Sequence, residues 1–88
     1  MGYYVYMLKS INKKSVTYVG YTNNLSNRIK LHNSGKGAKF TRGRKWKLIY
    51  KEKYNTKNQA ISREYYIKKN KTLRNFIKNK AKWKFQYY

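Results

Sequence analysis

Residues 3–21, YYVYMLKSINKKSVTYVGY, hold two runs rich in aromatic and β-branched side chains, Tyr3–Ser10 and Val16–Tyr21, on either side of the polar stretch Asn12-Lys13-Lys14-Ser15. Such side chains suit a pleated, half-buried surface, so each run reads as a strand. So short a polar link pairs the two most simply as an antiparallel hairpin. Working outward, Asn24 can cap a helix by accepting an otherwise unpaired N–H. Leu25, Ile29 and His32 then recur at helical spacing, and Gly35 falls where that helix would close in the left-handed conformation. Residues 35–45, GKGAKFTRGRK, read as a flexible basic loop. Trp46, Leu48 and Tyr50 alternate with lysines and predict a third strand, 46–52. Thr56 with Gln59 three residues on is a capping box. It opens a helix to about Lys69 whose apolar positions are Ala60, Ile61, Tyr65 and Ile67. A third helix begins near Thr72 and carries Leu73, Phe76 and Ile77. The fold expected is α+β: a small three-stranded antiparallel sheet with flanking helices, in the order β-β-α-β-α-α, built as one pair of layers. With 88 residues there is material for one core and one domain, residues 1–82, followed by an aromatic tail, 83–88, expected to complete that core.

Charge narrows the partner. Twenty-three Lys and Arg against two Asp and Glu leave a formal +21. A chain so cationic repels itself and attracts polyanions, of which nucleic acid is the commonest in a cell. Lys outnumbers Arg, and Asn, Tyr and Ile are abundant, as the codons of an AT-rich genome dictate; that bias does not explain having only Glu52 and Glu64 as acids. Lys36, Lys39, Arg42 and Arg44 in the glycine-rich loop are candidate contacts to a phosphate backbone, giving affinity without sequence preference. The absence of cysteine excludes disulfides and cysteine-ligated zinc or iron–sulfur centres, which suits a reducing interior. Neither a secretory leader nor a membrane-spanning run is apparent, so a cytoplasmic, nucleoid-associated setting is expected.

Few residues can carry chemistry. Glu64 shares a helix face with Ala60 and Ile67 that looks toward the core, where a carboxylate is costly unless it is paired or bound to an ion. A lysine salt bridge would serve, but in a chain nearly stripped of acids an inward Glu needs a reason. Glu52, between Lys51 and Lys53, reads as an ordinary surface ion pair. Arg28 and His32 stand four apart on one face of the first helix. Taken singly, the first reads as a solvated helix residue and the second as a satisfied histidine at the core edge. Together they offer a bidentate phosphate clamp and the chain's sole near-neutral base. Tyr6 and Tyr18 lie on adjacent strands. With eleven tyrosines most are structural, and a phenol serves as a base only if its pKa falls below about 10, as a dense positive field would bring about.

The ordered set Tyr4-Val5-Tyr6, Tyr18-Val19-Gly20, Arg28, His32 and Glu64 resembles the GIY-YIG endonuclease family, which includes the N-terminal nuclease module of the excision-repair protein UvrC. The run from Tyr18 to Leu25, with residues 32–39 and Thr41-Arg42-Gly43, is similar to its small stand-alone bacterial branch. The first motif departs from the family pattern in reading Tyr-Val-Tyr. The likeness implies a metal-dependent endonuclease that cuts DNA, in repair, recombination or mobile-element processing; no element is an obvious reader of base edges, so little sequence specificity is expected, with selectivity for branched, nicked or single-stranded structures as the alternative. It implies Tyr6 as general base or water-orienting group, Tyr18 lining the site, and Gly20 allowing close backbone approach. It further implies Arg28 on the scissile phosphate, His32 assisting proton transfer, and Glu64 holding one Mg2+ or Mn2+. The partner is DNA, with RNA as the alternative substrate; the state expected is a monomer, with pairing through the aromatic tail as the alternative. The rival from another class is a basic nucleic-acid-binding module that kept this fold without catalysis.

Overall fold

The first strand of the chain is the middle strand of the sheet. β1 (Tyr3–Ser10) pairs antiparallel with β2 (Thr17–Thr22) on one side and with β3 (Trp46–Tyr54) on the other, giving the order β2-β1-β3. Tyr6 faces Gly20 and Leu8 faces Tyr18 across the hairpin. Among the described residues three helices accompany the strands: α1 (Leu25–Asn33) between β2 and β3, then α2 (Lys57–Lys69) and α3 (Lys71–Lys84) after β3. The computed structural model describes residues 2–11 and 16–84. The polar turn at 12–15 and residues 85–88 of the aromatic tail therefore lie outside the described residues; the backbone of Trp83 and Lys84 continues α3.

The expected α+β order forms, but the layers differ from the single pair anticipated. Val5, Met7 and Val19 pack with Ile49, Ala60, Ile67 and Ile77, the side of α2 and α3. Tyr6, Leu8 and Trp46 pack with Leu25 and Ile29, the side of α1. Helices cover both faces, so four consecutive residues of the central strand, Val5 to Leu8, are buried. An uninterrupted apolar run is what a strand covered on both faces requires.

The alternation expected in β3 also breaks. Its register with β1 passes from Leu8 opposite Leu48 to Met7 opposite Tyr50, leaving Ile49 as an extra residue. Across this bulge Trp46 and Leu48 pack on the α1 side, whereas Ile49 and Tyr50 pack on the other.

Local signals set the helix ends. The Asn24 side chain accepts from the Asn27 N–H at 3.2 Å. Gly35 takes φ +80°, and the N–H groups of Gly35 and Lys36 bond back to the His32 and Leu31 carbonyls, closing α1 in a Schellman motif. Thr56 and Gln59 form the reciprocal box at the start of α2. Asn70 accepts from the Leu73 N–H at 3.0 Å and starts α3 at Lys71, beside Thr72 as expected. The apolar stripes are narrower than predicted. Ala60 and Ile67 are buried while Ile61 and Tyr65 are exposed; in α3 Ile77 is buried and Phe76 is exposed. Positions 61 and 65 lie one residue, about 100°, round α2 from the stripe that meets the sheet.

Candidate active site

Tyr6 projects from the central strand over Gly20 of the neighbouring strand. A Cβ on Gly20 would lie 2.6 Å from the Tyr6 hydroxyl oxygen and 2.8 Å from Cζ, so glycine is the residue that leaves room for this phenol. The Tyr6 hydroxyl meets His32 Nε2 at 2.7 Å, and His32 Nδ1 meets Thr41 Oγ1 at 2.9 Å. Thr41 in turn donates to the Ala38 carbonyl at 2.7 Å. These contacts assign the protons. The Thr41 hydrogen is spent on Ala38, so its oxygen accepts from Nδ1–H; Nε2 of the neutral imidazole is then the acceptor, and Tyr6 donates to it. His32 and Thr41 are wholly shielded from solvent.

Arg28, Tyr18 and Glu64 complete the cluster. The Tyr18 ring lies 5.0 Å from the His32 ring and 6.4 Å from that of Tyr6. The Arg28 guanidinium is close enough to interact with both phenols, and Tyr6 above all raises its pKa. Glu64 acts on the same Tyr6 hydroxyl through its charge. It stands 3.6 Å from the Lys68 ammonium, which also lies 5.8 Å from the Tyr18 ring centroid. Tyr18 packs with the α1-side cluster, so these α2 side chains reach it round the free edge of β2. Tyr6, Tyr18, Gly20, Arg28 and His32 therefore meet in one place, with Glu64 near enough for its charge to act on Tyr6.

Burial decides the protonation states. Desolvation pushes the Tyr6 phenol up to about 12; the Arg28 contact opposes this without prevailing. The positive field expected to lower that pKa loses to the loss of water. Desolvation, helped by the Arg28 charge, brings His32 down to about 4. At neutral pH the pair is a protonated phenol donating to a neutral imidazole.

Two participants carry no spacing signal in the sequence: Thr41, which orients His32, and Gly37, where a Cβ would sit 2.5 Å from His32 Nδ1. The loop that holds them is not the flexible segment expected. Lys39–Thr41 forms a 3-10 turn, Trp46 Nε1 donates to the Thr41 carbonyl at 2.9 Å, and the Asn33 amide clasps the Trp46 backbone on both sides. Of the basic candidates on this loop, Lys36, Lys39 and Arg42 are exposed and Arg44 is half-buried. Glu52 also differs from expectation. It is no ordinary surface pair: its carboxylate accepts from Tyr50, from Tyr54 and from Arg63 through two nitrogens. Burial alone would raise its pKa, but those four bonds together hold it below the usual value.

Among the described residues no three His, Cys, Asp or Glu side chains gather to enclose a metal ion. Glu64 is the carboxylate within reach, and its present partner, Lys68, is exposed and displaceable. Both His32 nitrogens are engaged. One hard oxygen ligand fits Mg2+ or Mn2+, which keeps waters and takes oxygens from a phosphate substrate; zinc, which wants three or four protein ligands, does not fit.

Comparison with known proteins places the chain in a family. The sequence pattern of the GIY-YIG catalytic domain matches residues 2–82. A UPF0213 protein of Clostridium perfringens is 58% identical over 67 residues, 75% of this chain and 70% of that protein. The UPF0213 protein YazA of Bacillus subtilis is 46% identical over 68 residues, 76% of this chain and 67% of its own length. A UPF0213 protein of Bacillus halodurans, solved in solution by NMR, is 37% identical, with a TM-score of 0.54 over 90% of this chain and 84% of that one. No helix among the described residues is long and apolar enough to cross a membrane.

Proposed function

The chain belongs to the GIY-YIG family, and from that premise we propose that it is a nuclease that hydrolyses phosphodiester bonds of DNA with little sequence preference, aided by one divalent cation. The observation that carries the reading is a single hydroxyl, that of Tyr6, bonded to neutral His32 at 2.7 Å while Arg28 and Glu64 both act upon it. A phenol pushed up to about 12 does not serve as a phenolate base at neutral pH. It serves as a relay. As water attacks phosphorus and the bond to the 3′-oxygen breaks, the water proton passes to the Tyr6 oxygen and the Tyr6 proton passes to His32 Nε2, while the departing 3′-oxygen takes a proton from solvent. The phenol stays neutral and His32 takes up the charge, with Nδ1–H held on Thr41 throughout.

Substrate binding helps this transfer. The Arg28 charge is one of the causes that keep His32 unprotonated. A phosphate drawn to Arg28 cancels that opposition and makes His32 a better acceptor just when one is needed. Arg28 also neutralises charge developing on the non-bridging oxygens. Glu64 would hold the divalent cation, which when bound would supply Lewis acidity toward the leaving oxygen. Lys36, Lys39, Arg42 and Arg44 track the backbone, so affinity falls steeply with salt.

The charge of +21 would bind nucleic acid with or without catalysis, so binding does not separate the nuclease from a non-catalytic module. Relaxation of supercoiled plasmid does. The wild-type protein nicks in Mg2+ or Mn2+ and not in chelator, while R28A and E64A lose at least about a hundredfold in rate, the first through loss of one transition-state donor and the second through loss of the cation's protein ligand, and both still bind DNA. Equal nicking by wild type and E64A overturns the proposal.

A further inference from the structure

One exposed apolar ring is ordinary on a protein surface; what sets Phe40 apart is how firmly it is held and where. It is the middle residue of the 3-10 turn Lys39–Thr41, and its neighbour Thr41 is buried and bonded to His32. Its ring stacks on Tyr18 at 6.2 Å between centroids and 21° between planes, with Trp46 at 6.3 Å. The Arg44 guanidinium lies 5.8 Å from its centroid. Even so, Phe40 is 56% exposed. A fixed aromatic surface thus opens to solvent one residue from the proton relay, between the exposed cations Lys39 and Arg42.

We propose that Phe40 is a stacking platform for a nucleobase that has left its duplex, which seats the neighbouring phosphate at Arg28 and makes strands with unpaired bases the preferred substrate. The occupant follows from charge and shape together. A cationic rim selects a polyanion, and a flat apolar ring selects the flat part of that polyanion, the base. Bases within a duplex are stacked on both faces and have none to offer; an unpaired base does. Arg44 strengthens the assignment. Its Nη1 is shielded from solvent and has no hydrogen-bond partner among the described residues, a costly state for a donor. A phosphate oxygen of the stacked nucleotide is the acceptor that the complex brings within reach of a small side-chain rotation. The seating at Arg28 rests on the nuclease reading; the stacking itself does not.

The test is binding in chelator, where cutting is stopped, of a short single strand bearing one 2-aminopurine and of the same strand in a duplex. Phe40→Ala and Phe40→Leu weaken single-strand binding on the order of tenfold, the scale of one base–aromatic contact, and Phe40→Tyr and Phe40→Trp stay within about twofold of wild type. Quenching of 2-aminopurine is lost with the first two and kept with the last two, while duplex affinity is unchanged throughout. The leucine retains apolar bulk, so its failure separates stacking from packing of the loop. Equal losses on single strand and duplex, or a leucine as good as tyrosine, overturn the proposal. Incubation of the same single strand and of plasmid with Mg2+ or Mn2+, run in parallel, keeps the two readings apart. Aromatic-dependent single-strand binding with neither substrate cut supports the platform and sinks the nuclease; cutting without that dependence does the reverse.

Discussion

His32 is the sole histidine in the chain, so its imidazole gives one unambiguous signal, and its titration is a direct test of the proposed relay. The structure places its midpoint at about 4, against 6.5 for an unperturbed group, chiefly through burial. In the unfolded chain burial and the Arg28 charge are gone, and the group takes its ordinary value. The sign follows. Between about 4 and 6.5 the unfolded chain binds the proton that the folded one refuses, so stability is full above 6.5 and falls as the pH is lowered toward 4. From pH 7.5 to 4.5 this linkage amounts to roughly 2–3 kcal/mol, a large share of the roughly 5–15 kcal/mol of a typical domain. Glu52, also held below its ordinary value of 4.5, adds its own loss as the pH falls beneath that value, so the comparison stops there. Heteronuclear NMR of the imidazole Cε1–H gives the midpoint directly. Urea unfolding followed by tryptophan fluorescence gives the energy, with His32→Gln as the variant in which the linkage disappears. Phosphate at Arg28 should move the midpoint upward. A free-protein midpoint near 6.5, or acid sensitivity unchanged in His32→Gln, would refute the assignment of a buried neutral imidazole.

Further outcomes follow from the same packing. Gly20→Ala drives a methyl to within 2.6 Å of the Tyr6 oxygen; it should cost about 1–3 kcal/mol in urea unfolding and displace the phenol from His32, with nicking reduced far beyond what the stability loss explains. Gly37→Ala and Gly35→Ala should differ in kind. The first meets His32 Nδ1 at 2.5 Å and should shift the imidazole titration; the second has open space but φ +80°, so it should cost about 1 kcal/mol in thermal unfolding and leave that titration alone. Glu52→Gln strips the charge from the hub of Arg63, Tyr50 and Tyr54; because Arg63 is one-third exposed the loss should be about 1–3 kcal/mol, below that of a fully buried pair, with plasmid nicking unchanged below the melting temperature.

Most of the secondary structure was legible because its signals are local. Asn24, Gly35 and the Thr56–Gln59 box each act within a few residues, and each does in the fold what its position implied. The strand pairing was legible for a related reason: a short polar link leaves two strands one simple way to meet. What failed depended on partners distant in the chain. Alternation at Trp46, Leu48 and Tyr50 cannot announce a bulge, because the extra residue, Ile49, is extra only relative to β1. A basic, glycine-rich segment reads as a loose loop until Asn33 and Trp46, thirteen residues apart, clasp each other. The four buried positions of β1 were themselves a sign of helices on both faces, since a one-faced sheet would alternate.

The site divides along the same line. Tyr6, Tyr18, Gly20, Arg28, His32 and Glu64 were picked out by residue type and order, and they do converge. Their protonation states were not legible, and the one inference drawn about them, a phenol acidified by surrounding cations, pointed the wrong way. A net charge of +21 sums over a whole surface, whereas a pKa answers to the few ångströms around one atom. At Tyr6 those ångströms hold buried side chains and one guanidinium, and desolvation wins. A protonated phenol is of little use as a base, and that gives Thr41 its importance. By turning its own hydrogen toward Ala38 it obliges His32 to present a bare Nε2, the acceptor that lets a neutral tyrosine pass a proton on. On the proposed reading the chemistry turns on the direction of one threonine hydroxyl in a 3-10 turn, a feature without periodicity or charge.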